Sequence, residues 1–184
     1  MILIGDVGGT HTEWMVLENG VSRTFKTIGV NLVHEKLSEF LRKVNKSLKP
    51  HSEAEQVYLY FAGLLDVPRQ RRNALNEIKK SFPKAKITIE NDLLGAARGA
   101  YQTSSGWIGI LGTGANFAYY NGKVITHRIP SLGYILGDEG SGAAFGKKLL
   151  ADFARQKLPL DLENEFRKAY KLDEVTLIGK VYDP

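Results

Sequence analysis

No cysteine occurs in the 184 residues. Disulfides, thiolate zinc sites, iron–sulfur clusters and a cysteine nucleophile are excluded together. Long hydrophobic runs are also missing: none approaches the ~18 apolar residues of a membrane span. The N-terminus lacks a basic region before its apolar stretch, and Asp6 interrupts that stretch early. No secretory signal is expected, no membrane partner, and a cytoplasmic location. What is present is a near-average globular mixture, with 43% hydrophobic and 24% charged residues. That composition supports a packed core and argues against disorder. The net charge of +5 is partly carried by Arg69, Arg71, Arg72, Lys79, Lys80, Lys84 and Lys86. Without interleaved aromatic residues this stretch reads as a solvated helix face, and no nucleic-acid partner is expected.

Glycine is over-represented, with 19 residues. Many fall in three groups, at 5–9, 106–114 and 133–146. Clustered glycine marks backbone that bends sharply or approaches a ligand closely. Around these groups the pattern alternates between strand and helix. Strands are expected at 1–7, 13–18 and 23–28, the last two joined by the hairpin signal Asn19-Gly20. Leu37, Phe40, Leu41, Val44 and Leu48 recur at helical spacing, so a helix is expected over 33–48. A strand at 57–62 follows. Pro68 suits the first turn of a second helix, which turns Leu75, Ile78 and Phe82 inward. A short strand at 87–90 leads to a helix over 93–101, begun by Asn91-Asp92. The order β-β-β-α-β-α-β-α forms an α/β layer domain over residues 1–103.

After the small polar stretch 103–106 the opening recurs. An apolar strand at 107–111 runs into Gly112-Thr113-Gly114, and 116–120, Asn121-Gly122 and 123–129 repeat the strand, Asn-Gly, strand order. A recurrence of this kind points to two related domains. The second copy, over 104–184, lacks the later strand–helix–strand–helix run. It continues instead as a glycine-rich loop and helical patterns at 141–156, 162–170 and 175–181.

Four segments carry chemistry. In Asp6-Val7-Gly8-Gly9-Thr10-His11-Thr12, a strand feeds a carboxylate into a tight turn. Backbone N–H groups there can converge on an anion, and the carboxylate could hold Mg²⁺ through water. Gly112-Thr113-Gly114-Ala115-Asn116 stands in the equivalent place of the second copy. The pair could grip a polyphosphate, or each could be an ordinary structural turn. A branched side chain at Gly9 or Gly114 is expected to intrude on phosphate space. Glu90-Asn91-Asp92 lies at a strand-to-helix junction, where Asp92 either caps the helix or accepts a proton from an attacking hydroxyl. Leu136-Gly137-Asp138-Glu139-Gly140-Ser141-Gly142 opens a helix, with carboxylates suited to capping or to paired sugar hydroxyls.

In this order the four segments resemble the sugar kinase, heat-shock chaperone and actin superfamily, with its ribonuclease H-like, actin-like ATPase domains. The Leu-Gly-Asp-Glu-Gly-Ser segment narrows the resemblance to N-acetylglucosamine kinases and the related BadF/BadG-type activators. It covers most of residues 1–156. The resemblance implies ATP and Mg²⁺ as cofactors and an amino sugar, most simply N-acetylglucosamine, as the phosphorylated substrate. It implies a first phosphate loop of Gly8, Gly9, Thr10 and His11, and a second of Gly112, Thr113, Gly114 and Asn116. Asp6 matches the metal-linked carboxylate and Asp92 the base. Asn31, Gly133 and Asp138 match sugar-binding positions. Leu132-Gly133 departs from the Trp-Gly that the kinases often carry, and nothing resembles the family's adenosine-binding motif. The absence of cysteine argues against the dehydratase activators and against zinc-bearing bacterial sugar kinases. A homodimer is allowed for. A non-catalytic amino-sugar sensor, or a shortened inactive relative, is the other reading.

Overall fold

The computed structural model describes residues 1–30, 32, 35–62 and 68–182. Asn31, expected at the sugar, lies outside the described residues, as do Val33 and His34 at the expected start of the first helix.

The chain begins with strands β1 (Ile2–Val7), β2 (His11–Glu18) and β3 (Val21–Ile28). Helix α1 (Leu37–Leu48) leads through a 3₁₀ turn at Lys49–His51 to β4 (Gln56–Phe61). Then come α2 (Pro68–Ser81), β5 (Lys86–Asn91) and α3 (Asp92–Tyr101). These strands form one sheet in the order β3-β2-β1-β4-β5. β1 pairs antiparallel with β2 and parallel with β4, which pairs parallel with β5. One face is apolar because side chains alternate along a strand. Leu3, Val7, Val57, Leu59, Phe61 and Ile89 turn to that side and bury with Phe40, Leu41 and Val44 of α1 and Ile78 of α2. α1 starts at Leu37, with an extended Lys36 before it and no side-chain cap. The apolar spacing 37, 40, 41, 44, 48 sets its length, and of the expected extension the described residues Glu35 and Lys36 are not helical.

α3 packs against β1, β4 and β5. Glycine makes that approach close: a Cβ on Gly95 would stand 2.7 Å from the Tyr60 ring of β4. Arg98 of the same helix donates to the Tyr60 hydroxyl at 3.3 Å.

A separate three-stranded sheet follows, in the order β6-β7-β8, from β6 (Gly106–Leu111), β7 (Ala115–Tyr120) and β8 (Ile125–Ile129). β8 starts two residues later than expected, because Asn121 accepts from the N–H groups of Lys123 and Val124, both at 3.0 Å, and holds them in the turn. Tyr120 buries with Leu94 and Ala97 of α3. Four helices complete the described chain: α4 (Gly133–Leu136), α5 (Gly142–Ala154), α6 (Leu160–Tyr170) and α7 (Glu174–Tyr182). α4 lies where only a loop was expected, as a single turn closed by the Gly137 N–H on the Gly133 carbonyl at 2.8 Å. α5, α6 and α7 meet around Phe153, Phe166 and Leu177.

The chain divides into two compact units, one of Met1–Ile108 with Ala118–Arg128 and the other of Gly109–Phe117 with Ile129–Pro184. Among the described residues no helix is long and apolar enough to cross a membrane.

Candidate functional site

In the first unit the parallel strands end together. Val7 of β1 is in register with Phe61 of β4, and Phe61 with Asn91 of β5. Gly8 and Asp92 each come one residue later, so both emerge at the same sheet edge. Two strand spacings, roughly 10 Å, separate β1 from β5. The carboxyl ends of parallel strands are where ligands bind in α/β folds.

The turn after β1 presents donors outward. Gly8 donates its N–H to the His11 carbonyl at 3.1 Å. The N–H groups of Gly29 and Val30 hold the carbonyls of Thr10 and Gly8, both at 2.9 Å. Among the described residues, the N–H groups of Gly9 and Thr10 donate to no protein acceptor. A Cβ on Gly9 would meet nothing within 4 Å, so the outer side of the turn is open. With its carbonyls held and the N–H groups of Gly9 and Thr10 left over, the turn has a geometry that can accept an anion. Gly29 was not singled out in the sequence. A Cβ there would stand 2.6 Å from the His11 nitrogen and would also collide with the Gly8 carbonyl oxygen, so only glycine can seat the turn. Its signal was present in Gly29-Val30-Asn31, but it becomes readable only once β3 is known to end beneath the turn.

Two carboxylates flank this edge. Asp6 lies on β1 opposite Glu13 of β2. It remains open to solvent, yet neighbouring atoms displace enough water to raise its pKa; Glu13 raises it further, and His11 opposes. Asp92 is half-buried at the first residue of α3. Burial raises its pKa most. The Leu93 N–H, donating to its carboxylate at 2.8 Å, lowers it; the charge of Asp6 raises it and Arg128 lowers it. Arg128, on β8 in the same unit, was missed because nothing in the sequence links it to Asp92. The N-cap position allowed for Asp92 is taken by Asn91, whose side chain shares the Leu93 N–H with Asp92, accepting it at 2.9 Å.

The second unit holds an analogous turn. Gly112 donates to the Gly114 carbonyl at 2.9 Å. The N–H groups of Gly142 and Ala143, in the first turn of α5, hold the carbonyls of Gly112 and Thr113 at 2.8 and 3.1 Å. Among the described residues, the N–H groups of Thr113 and Gly114 donate to no protein acceptor. The α5 amino end is thereby spent on the turn, with Ser141 capping the Ala144 N–H at 3.1 Å. Open space lies off Gly112, where a Cβ would meet nothing within 4 Å. At Gly114 the corresponding direction is filled, with Asp138 Oδ2 at 3.0 Å, so a side chain there would strike Asp138 rather than open phosphate space. Asn116 lies on β7, half-buried. Gly133 opens α4 at φ +71°, a conformation that favours glycine.

No cluster of three or more metal-ligating side chains occurs among the described residues. A protein cage for a metal is not offered there. One carboxylate such as Asp6 does fit Mg²⁺, which keeps most of its waters and takes one or two protein ligands.

No protein-family model matches the chain. No curated protein matches it either. Solved structures do. A presumptive N-acetylglucosamine kinase from Porphyromonas gingivalis is 34% identical with a TM-score of 0.89, over 100% of this chain and 66% of that one. A protein described likewise from Chromobacterium violaceum is 18% identical with a TM-score of 0.74, over 100% and 68%. The ROK hexokinase of Thermus thermophilus is 17% identical with a TM-score of 0.59, over 100% and 78%. The last two likenesses concern the fold alone. The chain thus spans about two thirds of the length of the N-acetylglucosamine kinase-like structures, 66% of the first. It has the ribonuclease H-like, actin-like ATPase fold, and these three structural neighbours are described as sugar kinases.

Proposed function

We propose that the chain belongs to an ATP-dependent amino-sugar kinase of the N-acetylglucosamine kinase and BadF/BadG-type group, one that phosphorylates N-acetylglucosamine to its 6-phosphate. Residues 1–103 form its first domain and 104–184 part of the second. The observation that carries this reading is in the first unit. A glycine turn with two N–H groups that no described protein acceptor takes up and a half-buried carboxylate of raised pKa emerge from one sheet edge. Phosphoryl transfer to an alcohol needs phosphate held by fixed donors and a base for the departing hydroxyl proton. The 34% identity to the Porphyromonas gingivalis protein supports the choice of substrate class.

In this reading Gly9 and Thr10 hold phosphate oxygens with backbone N–H groups, and Thr113 and Gly114 do the same in their own unit. His11 and Asn116 border these turns. Asp6 holds Mg²⁺ through water, and that ion supplies neutralisation of phosphate charge. Asp92 accepts the proton from the sugar hydroxyl; its raised pKa makes it a stronger base than an ordinary carboxylate. Asn31, Gly133 and Asp138 bind the sugar.

The test is to incubate the purified chain with ATP, Mg²⁺ and a panel of amino sugars, following ADP release and identifying the product by ³¹P NMR. N-acetylglucosamine 6-phosphate is the expected product. Sugar binding with no ADP formed would mark a sensor or a shortened inactive relative instead of an active kinase.

A further inference from the structure

Asp138 matches a sugar-binding position by resemblance, yet one of its carboxylate oxygens is engaged elsewhere. Its Oδ1 accepts the Ala115 N–H at 3.2 Å, immediately after the turn Gly112-Thr113-Gly114. The Ser131 hydroxyl lies 3.4 Å from the same oxygen and 3.3 Å from the Ala115 carbonyl, able to donate to either. Its Oδ2 lies over Gly114, 3.0 Å from where a Cβ would stand. Asp138 reaches this place in the left-handed region, at φ +62°. That conformation is uncommon for any residue except glycine, though asparagine and aspartate tolerate it best. It persists because the surroundings determine it: the Ser141 N–H closes the segment onto the Asp138 carbonyl at 3.0 Å.

The turn is therefore held from two sides. The first turn of α5 grips the carbonyls of Gly112 and Thr113. Asp138 grips the N–H of Ala115, and its side chain fills the space over Gly114. With both ends fixed, the N–H groups of Thr113 and Gly114 keep their direction. We propose that Asp138 is a positioning residue for the 112–114 turn, acting through Oδ1, while Oδ2 remains for a sugar hydroxyl, so that one carboxylate links the sugar position to the phosphate cradle. This rests on the reading of that turn as a phosphate cradle. A hydrogen bond between a carboxylate and a backbone N–H is stronger than one between neutral groups, enough to bias a short glycine turn.

Asparagine separates the two roles, because its amide oxygen can still accept from Ala115 while the second oxygen becomes a donor. Glycine removes the carboxylate and also suits the left-handed backbone, so Asp138→Gly tests the strut without adding strain. Amide hydrogen exchange at Ala115, read by NMR on the ligand-free chain, reports the strut directly. Calorimetric titrations with ATP and with N-acetylglucosamine, separately, report the two sites. Asp138→Gly should speed Ala115 exchange and weaken ATP binding, each by about tenfold or more. Asp138→Asn should keep both near the parent values and weaken the sugar alone. Ser131→Ala should speed Ala115 exchange by a smaller factor. Parental Ala115 exchange in Asp138→Gly, or a loss in that variant confined to the sugar, would overturn the proposal. If the parent chain bound neither ATP nor sugar, the kinase reading would fail for this chain, and Ala115 exchange would still decide whether the carboxylate holds the turn.

Discussion

Asp92 is the residue on which the kinase reading turns, and its neighbours make it separable from the fold. Asn91 caps α3, so Asp92→Asn leaves the helix start intact. It should lower kcat by about 10²-fold or more and leave sugar affinity within several-fold, as expected of a base acting mainly in the transition state. A rise in KM alone would reverse the roles of Asp92 and Asp138. The raised pKa gives two pH signatures. kcat/KM should fall on the acid side with a midpoint above the ordinary aspartate value of ~3.9. The stability effect has the opposite sense. A carboxyl whose folded-state pKa lies above its unfolded value binds protons more tightly when folded, so stability falls as pH rises through that interval. Removing the buried charge removes the cost. Asp92→Asn should melt above the parent at neutral pH, and the gap should close as the pH drops below the ordinary aspartate value. An equal difference in melting temperature at both pH values would mean that burial does not penalise the Asp92 charge.

At the scale of elements, α3 carries the proposed base and Gly95 sets how closely the helix lies on β4. In Gly95→Ala the new methyl would stand 2.7 Å from the Tyr60 ring, so helix or ring must move. Overpacking of this kind costs ~1–3 kcal/mol, and the shift displaces Asp92 one turn earlier on the same helix. Denaturant unfolding should show that loss together with a fall in kcat. Tyr60→Val, which removes the ring, should recover most of both in the double variant; no recovery would place the effect elsewhere. The strands were legible from their apolar alternation, and α1 from its spacing. α4 was not, since one turn at Gly133–Leu136 has no periodicity to read. Neither was the backing of the two turns. Gly29 meets Gly8 through sheet pairing, and Gly142 meets Gly112 through chain reversal, contacts that local sequence does not encode.

For the molecule as a whole, core size differs sharply between the two units. The first unit's main cluster holds eighteen buried residues among those described, and the α5–α7 cluster holds three. Regions with few buried apolar contacts open at lower free energy. Amide exchange should therefore show α6 and α7 opening well before β1 and β4. Phe153→Ala removes a ring 4.6 Å from Phe166. Truncating a buried phenylalanine costs ~3–5 kcal/mol. The loss of protection should be confined to α5–α7; faster exchange at Leu3 and Val57 as well would mean that the chain unfolds as one cooperative unit.

The sequence by itself determined the strand and helix periods, the glycine turns after β1 and β6, and the carboxylates beside them. These follow from local rules: side-chain alternation in a strand, 3.6-residue spacing in a helix, and the freedom of glycine. It did not determine which atoms those residues spend on one another. Only the tertiary structure decided that Asn91 caps α3, that Asp92 is half-buried within the influence of Asp6 and Arg128, and that Asp138 lies over Gly114. The physical reason is that burial and hydrogen-bond pairing depend on segments distant in sequence. Ala115 and Asp138 are 23 positions apart, and no local pattern specifies a bond between them.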